Sequence, residues 1–245
     1  MLKEKVFGEE GFSTDLFLQP AELATLRAII KAHFTAVVLK KAHTLVGAEL
    51  ADYHKFQINH ATTWSKRTRL LDMVQVGVIK NLPFMRKLEE EFGAFKITSE
   101  EEVYPEEIYW RIVRPNEPGD VGTIHADRWF WDLGHGKRPG NQCVKIWIPI
   151  EVEPGLSGLC IVPGSHKRTD WKYHGEKPAH EYRDYFMKPV IDEDVSKLDV
   201  KVLETEPGRA VVFNDLTLHG GILNQGTKTR ISLEFMIYND REPAA

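Results

Sequence analysis

From Pro20 to Lys41 the apolar residues fall three and four apart: Leu23, Leu26, Ile29, Ile30, Phe34 and Val37, with His33 beside them. That spacing puts them on one face of an amphipathic helix. Pro20 suits the first turn, where a missing N–H costs little. The same period predicts helices over 63–79 and 83–92, the second stopped by Gly93. The first hundred residues therefore read as mostly helical. From about Glu106 the period drops to two. Glu107 to Arg114 alternates as a strand does, and further strands are predicted at 142–150, 157–162, 200–204, 209–214, 217–222 and 230–238. Short strands divided by turn residues predict a sandwich or jelly roll, with helices laid on the outside of one sheet.

The alternation also assigns faces. In 142–150, Val144, Ile146, Ile148 and Ile150 form one apolar face suited to packing under helices. Cys143, Lys145 and Trp147 then face the interior. A lysine inside such a barrel is costly unless paired. Lys145 is thus either a partner for an anionic ligand group or one half of an internal ion pair. Arg111, alternating with Trp110 and Ile112, raises the same question, and its alternation leaves either face open. Residues 164–199 form a long polar insertion. Loops of that length are functional lids or disordered segments, and Tyr182, Tyr185 and Phe186 argue against full disorder.

Composition narrows the classes. No linker, repeat or low-complexity stretch divides the 245 residues, so one domain over 1–245 is expected, mostly helical over 1–104 and a jelly-roll core over 105–240. A net charge of −4 argues against a nucleic-acid partner. Cys143 and Cys160 are too few for a disulfide scaffold and lie in apolar runs, as reduced core residues do. The first ten residues carry acids where a signal peptide has an apolar run. No apolar stretch approaches the roughly 20 residues that span a bilayer. A soluble, cytoplasmic protein acting on a small molecule is the expectation.

The candidate chemistry lies in His125-Ala126-Asp127, in His219 and in Arg230. Two imidazoles and one carboxylate can occupy one face of an octahedral Fe(II), leaving positions open for a co-substrate and dioxygen. An arginine fork shortly after the last ligand can hold the far carboxylate of a dicarboxylic acid. An H-x-D alone arises readily by chance, so context has to carry it. On a strand, residues i and i+2 face one way, so a strand end at 125–127 would aim both side chains at one ion. His219 closes a predicted strand, and Arg230 opens the last one, on the same face as Ser232. Arg128, Trp129, Phe130 and Trp131 either surround the mouth of this site or form an aromatic core with a solvated arginine. His174-Gly175-Glu176 is a rival H-x-E pair, but it lies in the insertion with no strand to fix it. His60, from the helical part, and His166 are also left outside the metal set.

The order H-x-D, a Trp-x-Pro strand around Trp147, Pro-Gly-Ser-His-Lys at 163–167, Phe-Asn-Asp-Leu-Thr-Leu-His-Gly-Gly at 213–221 and then Arg230 resembles the phytanoyl-CoA dioxygenase family. The resemblance covers about residues 105–238 and is only general before them. It implies a double-stranded β-helix, the cupin-like jelly roll, and an Fe(II)/2-oxoglutarate-dependent oxygenase. By resemblance His125, Asp127 and His219 are the catalytic iron ligands, and Arg230 binds the distal carboxylate of 2-oxoglutarate with Ser232 as helper. Trp147 lies by the co-substrate, and His166 belongs to a turn. The implied reaction consumes dioxygen, converts 2-oxoglutarate to succinate and carbon dioxide, and hydroxylates a C–H bond. Related halogenases carry a small residue in place of Asp127, so the carboxylate favours hydroxylation or desaturation. Lys145, Arg111, Arg128, Trp129 and Trp131 are the candidate substrate contacts; the cations suggest an anionic molecule, the indoles a ring or sugar face. A non-oxidative cupin-like metal isomerase, a sugar-binding jelly roll and a silent interaction module are the alternatives. The first two need no dicarboxylate clamp, which Arg230 and Trp147 would supply.

Overall fold

The computed structural model describes residues 1–41, 43, 47–56, 58–135, 139–140, 142–177 and 187–239. In chain order, helix α1 (Leu2–Phe7) and strand β1 (Phe12–Phe17) precede the long helix α2 (Pro20–Lys41). Short helices α3 (His60–Thr63), α4 (Met73–Lys80) and α5 (Pro83–Phe92) lead to β2 (Lys96–Ile97) and β3 (Tyr109–Val113). Helix α6 (Arg128–Asp132) is followed by β4 (Cys143–Glu151), β5 (Leu159–Ile161), β6 (Tyr173–Glu176) and β7 (Lys188–Ile191). The chain continues through β8 (Lys201–Val202), β9 (Arg209–Asn214), β10 (His219–Gly221) and β11 (Arg230–Tyr238).

The strands form two antiparallel sheets and a hairpin. The larger sheet runs β1-β9-β4-β11-β2, with β3 also paired to β11; the smaller runs β10-β5-β8, and β6 pairs with β7. On β11 the side chains separate by parity. Ile231, Leu233, Phe235 and Ile237 join the core under the helices, whereas Arg230, Ser232, Glu234 and Met236 turn inward. Val144, Ile146, Ile148 and Ile150 of β4 share the helix-side core with Leu26, Ile30, Phe34 and Val38, one per turn of α2. Phe34 stacks on Trp64, ring centroids 5.3 Å apart, and Trp110 meets both. Each such buried side chain stabilises the fold by about 1.5–3 kcal/mol relative to exposure. Between the two sheets lies a second, smaller core of Trp147, Leu159, Ile161, Val211 and Phe213. Helices on one face of the large sheet and a small sheet on the other make the jelly roll.

Buried carboxylates fasten the helices to this frame. Glu22 of α2 accepts the backbone N–H of Gln19 at 2.7 Å and of Phe84 at 2.6 Å, tying the starts of α2 and α5 together. Glu107 accepts from the backbone of Glu101, Val103 and Tyr104, and so folds the loop that precedes β3.

Three expectations need correction and one needs an addition. The helix over 63–79 is broken: Asp72 caps α4 through a reciprocal pair with Gln75, and Leu70 bridges to Tyr109 instead of turning helically. The N-terminal hundred residues also supply two strands of the large sheet, β1 and β2. The 164–199 insertion is not a plain loop, since its described part folds into the β6–β7 hairpin; Tyr182, Tyr185 and Phe186 lie outside the described residues. His174 therefore does sit on a strand, β6, where it pairs with Asp192 and Glu176 at the surface.

Candidate metal centre

The two histidines are brought together by main chain. His125 and His219 form an isolated antiparallel bridge, each backbone N–H donating to the other's carbonyl at 2.9 Å. Residues 125–127 are not a strand end. Asp127 has helical angles (φ −61°, ψ −30°) and starts α6, so the i, i+2 rule of strands is not what aims it. The bridge places the histidines, and the helix start swings the carboxylate beneath them.

The side chains then converge. His125 Nδ1 pairs with the carbonyl of Thr123 at 2.6 Å, and His219 Nδ1 with that of Thr217 at 3.0 Å. Such a backbone bond fixes the tautomer and leaves Nε2 as the free nitrogen. Asp127 Oδ1 lies 3.7 Å from His125 Nε2 and 3.8 Å from His219 Nε2. These are the described histidine, cysteine and carboxylate groups that gather as a metal site does, with their ligand atoms within 4.8 Å of one another. Asp127 Oδ2 is buried with no hydrogen-bond partner. Burial works against its charge, but Lys145, His219 and His125 outweigh it and hold the carboxyl well below the usual range. Burial pushes His219 down to about 4, His125 adding to the effect and Asp127 opposing it. Two imidazoles and one carboxylate are the donor set that suits Fe(II).

A cavity of about 830 Å³, counting the solvent at its mouth, opens from this trio. At one end Arg230, 3 % exposed, donates to the Gly158 carbonyl at 2.5 Å and lies over the Trp147 ring, 5.6 Å from its centroid. Burial, then repulsion from Arg111, lowers its pKa to about 10, so it remains a cation at neutral pH. Arg230 Nε, Trp147 Nε1 and Ser232 Oγ are buried and unpartnered. Orphaned donors of this kind are costly, and an acceptor-rich carboxylate would satisfy them. Ser232 lies on the inward face but does not itself line the cavity.

The cavity also carries a wall of paired charges, of which sequence reasoning named only Lys145 and Arg111. Lys66, Glu100, Tyr109, Arg111, Lys145 and Glu234 all line it. Lys145 Nζ donates to the Tyr109 hydroxyl at 2.8 Å and lies 3.4 Å from Glu100. Lys66 meets Glu100 at 2.9 Å, and Arg111 meets Glu234 at 3.1 Å. The parity of Arg111 is thereby settled, since Trp110 and Ile112 belong to the helix-side core. Burial raises the carboxyl of Glu100, but Lys145 and Lys66 prevail and bring it to about 2. Glu234 could have been found from its period-two relation to Arg230 and Ser232. Lys66 and Glu100 lie in irregular segments, where no local pattern points inward.

The residues after Asp127 do not act together. Successive positions on a helix diverge by about 100°, so α6 sends Phe130 and Trp131 to the cavity but not Arg128 or Trp129. Arg128 Nε instead donates to Asp215 at 3.0 Å. Trp129 is buried against Ala126, Val162 and Leu218 and stacks on Tyr173, centroids 4.2 Å apart and planes 7° from parallel. The placement of Arg128 and Trp129 at the mouth is therefore corrected. His166 pairs with the Gly8 carbonyl, and His60 with Tyr53 and Asp120, both away from the cavity.

A family model for phytanoyl-CoA dioxygenase matches residues 13–232. The chain belongs to the phytanoyl-CoA dioxygenase family. It is a non-heme iron, 2-oxoglutarate-dependent enzyme whose cofactor set is Fe(II), 2-oxoglutarate and dioxygen, which sets aside the non-oxidative alternatives. No curated protein sequence matches it. Solved structures share the fold at low identity. AviO1 from Streptomyces viridochromogenes Tue57 aligns with TM-score 0.58 and 17 % identity, over 100 % of this chain and 96 % of that one. The 2-oxoglutarate-dependent carbocyclase SnoK from nogalamycin biosynthesis aligns with TM-score 0.55 and 13 % identity, over 96 % and 82 %. The epimerase SnoN, in complex with Fe3+, α-ketoglutarate and nogalamycin RO, aligns with TM-score 0.51 and 15 % identity, over 97 % and 82 %. No helix among the described residues is long and apolar enough to cross a membrane.

Proposed function

We propose that this family member hydroxylates a C–H bond of a small polar metabolite, with His125, Asp127 and His219 holding Fe(II) and Arg230 holding 2-oxoglutarate. The convergence of two backbone-locked imidazoles on a buried, half-unpartnered carboxylate carries the reading. When bound, the metal supplies activation of dioxygen coupled to decarboxylation of the co-substrate. The chain supplies the rest. Arg230 offers a buried cation to the far carboxylate, with Trp147 against its face and the unpartnered Trp147 Nε1 in the same cavity. Phe130, Trp131 and Phe213 supply apolar surface that limits water near the reacting bond. Retention of a carboxylate at Asp127 supports oxygen insertion over halogenation.

The charged wall argues about the substrate. Lys145 and Arg111 are already paired with Glu100 and Glu234, so they do not present surplus positive charge. Alternating cations and carboxylates around Tyr109 suit a molecule with several hydroxyl or amide groups more than a simple anion. Trp131 and Phe130 could then cover an apolar ring face, as aromatics do for sugars.

The test is anaerobic titration of the Fe(II)-loaded protein with 2-oxoglutarate, followed by a screen of polar metabolites for substrate-dependent succinate release. A visible charge-transfer band in the wild type and none in the double variant His125→Ala/His219→Ala is the expected result. Equal bands in both would remove the trio from its role.

A further inference from the structure

Lys145 stands where four groups of separate origin meet. Its ammonium donates to Tyr109 Oη at 2.8 Å and lies 3.4 Å from Glu100 Oε1, 3.9 Å from Asp127 Oδ2 and 4.0 Å from Glu234 Oε2. A cation buried to 3 % exposure is costly, and simple neutralisation of the glutamates does not account for it. Glu100 already has Lys66 at 2.9 Å, and Glu234 has Arg111 at 3.1 Å. Among the described ion pairs, Asp127 has no lysine or arginine other than Lys145.

The carboxylate of Asp127 is divided accordingly. Oδ1 faces both imidazoles at 3.7 and 3.8 Å, while Oδ2 turns to the ammonium. Carboxylates bind metals through one oxygen or two, and a second oxygen would take a position that the co-substrate needs. We propose that Lys145 is a positioning residue that keeps Asp127 Oδ2 away from the metal, so that Asp127 gives one oxygen and a coordination position stays open for 2-oxoglutarate. This rests on the reading that His125, Asp127 and His219 hold Fe(II). Tyr109, by accepting from the same ammonium, fixes the direction from which it approaches.

The experiment uses the full chain without oxygen and compares wild type, Lys145→Met, Lys145→Arg and the double variant Lys145→Met/Glu100→Gln. The double variant removes a buried charge of each sign, which keeps the wall balanced should Lys145→Met fail to fold. Two readouts are taken: the visible spectrum of the Co(II)-substituted protein, which reports coordination number, and the 2-oxoglutarate dissociation constant from the Fe(II) charge-transfer band. Loss of a residue that orients a metal ligand changes affinity on the order of 10- to 100-fold. We expect 2-oxoglutarate binding to weaken by that order in both Met variants, the Co(II) bands to shift, and Lys145→Arg to recover most of the loss. Wild-type 2-oxoglutarate affinity and an unchanged Co(II) spectrum in the double variant overturn the proposal and leave Lys145 as a neutraliser of Glu100. Absence of the band in the wild type instead removes the underlying metal assignment, and this proposal with it.

Discussion

His125 and His219 exchange both of their backbone hydrogen bonds, N to O at 2.9 Å in each direction. Two imidazoles far apart in sequence are thus registered by main chain, and each is then oriented by a carbonyl two residues before it.

Asp127→Ala should therefore leave the histidines in place and remove the carboxylate between them. We expect an unchanged circular dichroism spectrum and loss of succinate formation in the presence of substrate. Substrate-coupled succinate release at the wild-type rate would take Asp127 out of the ligand set.

Arg230→Ala removes the buried cation and its contact with Trp147. A hydrogen bond to a charged group contributes about 1.5–3 kcal/mol, so the KM for 2-oxoglutarate should rise on the order of 10- to 100-fold. The fold should persist, because β11 keeps its pairing with β3 and β4. Initial rates against 2-oxoglutarate concentration measure this, and an unshifted curve refutes the clamp.

Gly11 links the N-terminal segment to the strand that carries His219. Its φ is +81°, and an added Cβ would lie 2.4 Å from His166 Nδ1 and 2.8 Å from Thr217 Oγ1. Its carbonyl also accepts from the Thr217 hydroxyl at 2.9 Å. Gly11→Ala should destabilise the protein by about 1–3 kcal/mol through backbone strain and loosen Thr217, whose carbonyl orients His219. A thermal melt equal to the wild type would exclude this.

Acid should weaken the metal-free protein before its carboxylates titrate. Burial lowers His33 and His166, and takes His60 and His219 to about 4, with Asp120 opposing the change at His60. The unfolded chain protonates these rings near 6.5, the native one only lower. Stability is thus full above about pH 6.5 and falls as the pH drops toward 4, by about 1.4 kcal/mol for each tenfold difference in proton affinity between the unfolded and native rings. Urea midpoints at about pH 7.5 and 5 measure the slope, and His60→Gln should flatten part of it.

The site and the sheet were legible in the sequence to different depths. Period-two alternation read the inward side of β4 because Val144, Ile146, Ile148 and Ile150 leave Lys145 and Trp147 as the exceptions. Arg230 opens β11 as expected, whereas His219, expected to close a strand, opens β10. The surroundings of Asp127 were misread because H-x-D carries no mark of a helix start, and α6 then splits Trp129 from Trp131. Edge strand β1 was hidden by its place in an otherwise helical stretch, where Ser13 and Asp15 interrupt a short apolar pattern. Lys66 and Glu100 were invisible for a different reason: they reach the cavity through tertiary packing, which local periodicity does not encode.

The chamber is assembled from two regions of the chain. The metal trio, the arginine and the indole all come from residues 125–230, whereas Lys66 and Glu100 enter from segments that precede the first strand of the core pattern. Groups from distant stretches of chain thus meet at Lys145 and Tyr109, so a change in the loop around 100 would reach the Asp127 carboxylate through Glu100 and Lys145.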